Sequence, residues 1–224
     1  MTVLAFDCAV SGLGVAVVRD GVRLGGLSEG GRDQAARLLP AVESVLAEAA
    51  IDRRGLTLIA VTIGPGSFTG VRVGLAGARG LAVGLAVPLA GITTTAVLLA
   101  QVASRDRVVI AAIDSRLGDW FCAIDEGDAA PFVSSARDLA VRVAGRPCLV
   151  VGTGVKMLVN ELVAAGIDAI AEEAVPDPVT LARLAADAGI AAWRGRNAEE
   201  GLPRPLYLRG VNITLPDGAR RTVD

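Results

Sequence analysis

The sequence predicts an α/β protein built from a duplicated strand–helix unit, and two recurrences carry that prediction. An apolar run ending in aspartate and followed by a hairpin occurs at Val3–Asp7 and again at Val108–Asp114. An apolar strand feeding a glycine-rich turn and then a helix occurs at Gly64 and again at Gly152-Thr153-Gly154. The order is the same both times, which is the mark of an internal repeat. Size agrees: 224 residues, 52% hydrophobic and 21% charged, exclude disorder and leave room for one large or two small domains. The division expected is a first lobe over 1–104, a second over 105–202, and an extended tail over 203–224.

The first unit opens with Val3–Asp7, a turn at Ser11-Gly12, and a strand over Gly14–Val18. Asp20-Gly21 is a strong hairpin signal and leads into a third strand near Val22–Leu27. These three predict an antiparallel meander. Leu38, Leu39, Val42, Val45, Leu46 and Ala49 then recur at helical spacing and predict one buried helix face, with Asp33 as a candidate cap and Pro40 either in its first turn or kinking it. Leu56–Ile63 reads as a buried strand running into Gly64-Pro65-Gly66-Ser67-Phe68-Thr69-Gly70, and Gly70 to Gly84 is helical in pattern. Gly80–Ser104 carries no charge and is long enough to span a bilayer. Pro88, Gly91, the threonines 93–95 and Gln101 break it up, so the expectation is a helix end, a buried strand over Val87–Ala90, and a new helix capped by threonine. No membrane span is expected.

The second unit repeats the plan with Val108–Asp114, a turn at Gly118, a strand over Trp120–Asp125, a strand over Cys148–Val151 and a helix from Val155 to Ala165. Val175-Pro176-Asp177-Pro178 starts a last long helix through Trp193. The tail, holding Pro203, Pro205 and Pro216, is expected to be extended.

Composition narrows the chemistry. There is no histidine, so a Ser-His-Asp triad, a Cys-His dyad and an H-E-x-x-H metal site are excluded within this chain. Cys8, Cys122 and Cys148 are odd in number and widely spaced. They read as small buried thiols in a reducing cytosol and not as a disulfide framework or zinc cluster. The first residues lack the basic segment of a secretory signal, so a cytoplasmic location is expected. Aromatic residues are 3% and the pI is near 5.3, which argues against a surface that binds nucleic acid unaided.

Three features are candidates for function. Asp7 and Asp114 each close an apolar strand, where a carboxylate can hold a metal or a phosphate-bound water, or simply cap a turn. Gly64, Pro65, Gly66 and Ser67 lie between strand and helix, where backbone N–H groups can approach an anion; the alternative is a tight turn capped by Ser67 or Thr69. The block lacks the lysine of a P-loop and does not fit G-x-G-x-x-G. In the helix that follows, Gly70, Gly74 and Gly77 share one face, and each interior glycine costs about 0.5–1 kcal/mol relative to alanine. A close backbone approach would offset that, either within the fold or across a subunit interface.

Ile63-Gly64-Pro65-Gly66-Ser67-Phe68-Thr69-Gly70-Val71-Arg72 resembles the hallmark of the bacterial TsaB (YeaZ) family. Leu4-Ala5-Phe6-Asp7, Ala112-Ile113-Asp114-Ser115-Arg116 with Gly118, and Pro205-Leu206-Tyr207-Leu208-Arg209 are similar to the family's other motifs, in the same order. Asp33 departs from the pattern, since many relatives carry histidine there. The resemblance implies the actin/hexokinase/Hsp70-like (ASKHA) fold, two lobes from a duplicated βββαβα unit. It also implies a non-catalytic subunit of the machinery that attaches threonylcarbamoyl to the tRNA adenosine next to the anticodon.

By the same resemblance the chain would pair with the catalytic, metal-bearing paralogue TsaD and with the ATPase TsaE. ATP would be used by the complex, with no cofactor or metal held by this chain alone, and tRNA would be met only through the complex. The residues carried over as a partner interface are Gly70, Val71, Arg72, Gly74, Gly77 and Ala78, on a helix face that would also serve a homodimer when the paralogue is absent. Gly74→Leu would then weaken pairing and leave the monomer folded. Asp7, Gly64, Pro65, Gly66, Ser67, Asp114 and Arg116 are carried over as family motif residues around a vestigial nucleotide site. The competing readings are a small-molecule kinase of the same fold, with Asp7 and Asp114 handling Mg-ATP, and a metallopeptidase.

Overall fold

The computed structural model describes residues 1–104, 106–127, 129–209, 211–214 and 220–223. Two five-stranded sheets share one topology. In the first, β1 (Thr2–Asp7), β2 (Leu13–Arg19) and β3 (Val22–Glu29) form the expected antiparallel meander. Helix α1 (Gln34–Glu48) leads to β4 (Leu58–Thr62), parallel to β1, and α2 (Phe68–Leu85) leads to β5 (Leu89–Ile92), parallel to β4. After α3 (Thr94–Ala100) the plan restarts with β6 (Val108–Asp114), β7 (Trp120–Ile124) and β8 (Phe132–Ser134). Helix α4 (Ala136–Val143), β9 (Cys148–Thr153), α5 (Val155–Ala164) and β10 (Ala169–Glu173) complete it, with β9 parallel to both β6 and β10. Strand orders β3-β2-β1-β4-β5 and β10-β9-β6-β7-β8 are the same unit used twice.

Strand alternation decides what covers each sheet. Leu4, Phe6, Ile59 and Val61 face α1 and α2, packing on Leu38, Val42, Val45, Val71 and Leu75. The opposite residues Val3, Ala5, Ala16, Val18, Leu58 and Ala60 need a second cover. It comes from the far end of the chain: Leu181, Ala182 and Ala185 of α6 (Pro178–Ala188) and Trp193 of α7 (Ile190–Glu199). The second sheet is treated in mirror fashion. Ile110, Ala112 and Val150 face α4 and α5, whereas Val109, Ala111 and Ile113 pack on Leu98 and Leu99 of α3. The expected lobes 1–104 and 105–202 therefore exchange helices, α3 passing to the second sheet and α6 with α7 to the first, because each sheet has a second apolar face that its own lobe leaves bare.

Other sequence expectations are corrected in detail. The single helix through Trp193 is two helices, interrupted at Gly189 with φ near +80°. Leu39, placed on the buried face of α1, is 54% exposed. Asp33 stands at the start of α1, but its carbonyl and not its side chain receives the Ala36 and Arg37 amides. The uncharged run divides as read, with the Thr93 hydroxyl accepting the Ala96 amide to cap α3. Among the described residues no helix is long and apolar enough to cross a membrane. The edge of β5 is covered by Asn197, whose amide exchanges two hydrogen bonds with Leu89. The tail is not simply extended: β11 (Val211–Thr214) pairs antiparallel with β12 (Arg220–Val223), while Pro216 lies outside the described residues.

Candidate functional site

Each sheet ends its first strand on an aspartate, and both aspartates turn back on their own chain. Asp7 accepts the Ala9 amide at 3.0 Å and the Thr62 hydroxyl at 2.5 Å on one carboxylate oxygen. Asp114 accepts the Arg116 amide at 2.7 Å, and Arg116 itself adopts φ +61° in an exposed turn. The turn-closing reading thus accounts for the observed bonds of both. Their surroundings differ, because Asp7 is only 4% exposed and Asp114 is half-buried. Burial raises the Asp7 pKa to about 6, against the lowering effect of its bonds to Thr62 and Ala9.

The Gly64–Gly70 loop lies directly on the turn that Asp7 closes. Ser67 N–H donates to the Ala9 carbonyl at 2.6 Å. A Cβ on Gly66 would stand 2.1 Å from the same oxygen, and one on Gly70 would stand 1.9 Å from the Cys8 carbonyl. Only glycine permits backbone to lie on backbone at these distances. Gly64, with φ +99° and a cis bond to Pro65, sends its carbonyl to the Thr94 amide. Ser67 caps α2 by accepting the Gly70 amide at 3.2 Å. An anion-cradling amide is therefore already engaged by a carbonyl of the same chain.

The second loop is filled in another way. Gly152 lies so close to β6 that a Cβ would meet the Ala112 carbonyl at 1.9 Å. At the start of α5 the Glu173 carboxylate accepts the Gly154 amide at 3.0 Å and the Lys156 amide at 3.2 Å. That is where a helix N-terminus attracts an anion, and here the anion belongs to the protein. Sequence reading missed Glu173, which sits nineteen residues beyond Gly154 on an edge strand with no local signal. Ala9 was missed for the same reason, since its contribution is a backbone carbonyl.

The glycine face of α2 points inward. Gly70, Val71, Gly74 and Ala78 are buried, Gly74 against Val61 and Cys8, and a Cβ on Gly77 would meet Leu38 at 2.6 Å. Of the residues expected at a partner interface, Gly70, Val71, Gly74 and Ala78 therefore pack on β1, β4 and α1 of the same protomer, and Gly77 is half-buried. Gly74→Leu would overpack the space against Val61 and Cys8 and cost the monomer about 1–3 kcal/mol. Arg72 alone of the set is exposed, and its guanidinium lies 3.6 Å from the Phe68 ring centre while Nε donates to the Tyr207 hydroxyl at 2.8 Å. The three cysteines are buried and unpaired, and burial pushes the Cys8 and Cys122 thiols up to about 12.

With this geometry in hand, comparison with known proteins is direct. The family model described as TsaD, tRNA N6-adenosine threonylcarbamoyltransferase, matches residues 28–191. The tRNA threonylcarbamoyladenosine biosynthesis protein TsaB of Escherichia coli is 36% identical over 126 residues, 55% of this chain and 54% of that protein. A solved structure of YeaZ from Pseudomonas aeruginosa is 28% identical with a TM-score of 0.73, covering 92% of this chain and 99% of that one. The chain belongs to the TsaB/YeaZ family. In sequence it spans about half the length of the curated TsaB relatives it matches. A more distant likeness, at 8% identity and TM-score 0.51, is to the activator of 2-hydroxyisocaproyl-CoA dehydratase from Clostridium difficile, solved with bound ADPNP. That likeness concerns the fold alone, a two-lobed ASKHA-like architecture.

Proposed function

We propose that this chain is a non-catalytic subunit of the assembly that attaches threonylcarbamoyl to the tRNA adenosine next to the anticodon, seated beside a TsaD-type catalytic subunit. One observation carries this reading: both loops placed to receive phosphate are engaged internally, by the Ala9 carbonyl at Ser67 and by the Glu173 carboxylate at the start of α5. A kinase of the same fold is not favoured, because it needs those amides for its nucleotide. In this reading the chain binds no nucleotide by itself, and ATP is consumed elsewhere in the complex. A TsaE-type ATPase completes the machinery, tRNA is met through the complex, and the site of action is the cytoplasm.

The pairing surface moves to the outer side of α2. Ala76, Gly80, Val83 and Gly84 are exposed there, Val83 to 70%, with the exposed Leu39 on neighbouring α1. A Cβ on Gly80 or Gly84 would meet nothing within 4 Å. Among the described residues nothing offsets the cost of Gly80 in a helix interior, which is about 0.5–1 kcal/mol relative to alanine. A partner backbone approaching at that point would. The same face would serve a homodimer in the absence of the paralogue.

The test is co-purification of the tagged chain with a TsaD-type partner, with Gly80→Arg and Val83→Glu as the perturbations. Both variants should melt like the parent and lose the partner; retention of the partner by both overturns the placement. Isothermal titration of the isolated chain with Mg-ATP should give no heat of binding. Saturable binding with turnover would restore the kinase.

A further inference from the structure

The segment 202–209 leaves α7 and crosses the carboxyl ends of the first sheet before reaching the second lobe. Pro203 rests on Gly91, where a Cβ would stand 2.5 Å from its ring. Arg79 donates to the Pro203 carbonyl through Nη2 at 2.5 Å and Nε at 3.1 Å. Leu206 N–H donates to the Ile63 carbonyl at 2.8 Å, and the Leu206 carbonyl lies 3.1 Å from where Gly64 would carry a Cβ. Tyr207 then joins Arg72 and Phe68, its ring 5.6 Å from that of Phe68. Two residues on, Arg209 forms an ion pair with Asp119, in the turn between β6 and β7 of the other lobe. The second oxygen of Asp119 is held by the Ser115 hydroxyl, and the Asp119 carbonyl accepts the Ser115 amide.

We infer that residues 202–209 are an interlobe clasp that holds the Gly64–Gly70 loop of the first lobe in fixed relation to the Ser115–Asp119 turn of the second. Its anchors are chemically distinct and lie in different lobes: a cation–aromatic cluster at one end and an ion pair at the other. Pro203 and Pro205 restrict the intervening backbone, so little entropy opposes its ordering and a few contacts suffice. Three motifs that lie far apart in sequence, in the Gly64–Gly70 loop, the Ser115–Asp119 turn and residues 205–209, meet in this one strap. The inference is independent of the proposed function, since it concerns how the lobes are tied and not what they pair with.

Hydrogen exchange with mass spectrometry on the full chain tests it, using Arg209→Ala and Tyr207→Ala. Both side chains are partly exposed, so global folding should survive, with β6 amides as the internal control. Arg209→Ala breaks the second-lobe anchor and should lower protection of the Leu206 amide by up to about fivefold, the upper end of what a partly exposed ion pair contributes. It should also speed exchange across Gly64–Gly70, in the lobe that it does not touch. Tyr207→Ala should reciprocally loosen the Ser115–Asp119 turn. Arg209→Lys should recover part of the protection. Effects confined to the mutated lobe overturn the clasp, as does loss of β6 protection, which would make the anchors part of the global fold.

Discussion

Asp7→Asn separates the two roles that a carboxylate at the end of β1 can play. Asparagine keeps an oxygen for the Ala9 amide and the Thr62 hydroxyl and removes the charge. In the wild type the folded-state pKa is raised from 3.8 to about 6, chiefly by burial. The folded chain therefore binds the proton more tightly than the unfolded chain. On the linkage relation, the wild type loses stability as pH rises from about 4 to about 6, and the loss levels off above that. At about 1.4 kcal/mol per pH unit, the charged carboxylate costs about 3 kcal/mol at neutral pH. Urea denaturation of wild type and Asp7→Asn from pH 4 to pH 8 should show the variant gaining relative stability across that window. The gain should approach 3 kcal/mol above pH 7, reduced by whatever the new amide N–H group leaves unbonded, and should vanish near pH 4. A flat difference across the range, or a variant that falls further behind above pH 6, would refute the argument. It would mean that the carboxylate is stabilised as an anion by something that its two hydrogen bonds do not supply.

Other expectations follow from particular contacts. Gly70→Ala forces a Cβ to within 1.9 Å of the Cys8 carbonyl and should destabilise the chain by about 3 kcal/mol, whereas Gly80→Ala, in open space, should stabilise it by about 0.5–1 kcal/mol; thermal melts read both. Glu173→Ala strips the N-terminus of α5 of the carboxylate on Gly154 and Lys156 and should lower stability by about 1 kcal/mol, measured by urea midpoint at constant slope. Leu181→Ala opens a cavity between α6 and the first sheet, where Leu181 is fully buried. It should cost about 2–5 kcal/mol, and a loss below 1 kcal/mol would contradict the packing described.

Much of the architecture is written locally. Alternation in Val3–Asp7, the Asp20-Gly21 turn and the repeat of both patterns after residue 107 define the two meanders and their order, because side-chain period and turn geometry are properties of neighbouring residues. Short elements with mixed patterning escaped that reading, among them β8, α4 and β10. Phe132–Ser134 has only three residues, and β10 presents four exposed positions out of five. The candidate site was partly legible too: Asp7, Asp114 and the two glycine loops were found from their position at strand ends.

By itself the sequence determined that α2 carries glycines whose cost a close neighbour would offset, and that two apolar strands end in matching aspartates. Tertiary structure decided what each of them meets. Gly70 and Gly74 face Cys8 and Val61 of the same protomer, while Arg72 of the same helix stays exposed. Glu173 reaches α5 from an edge strand, Arg209 reaches Asp119 from the tail, and α3 and α6 each cover the other lobe's sheet. The reason is common to all of them. A local pattern reports that a face is apolar or that an amide is unpaired, but its partner is whichever distant segment can bury or bond it, and only the folded chain brings that segment within reach.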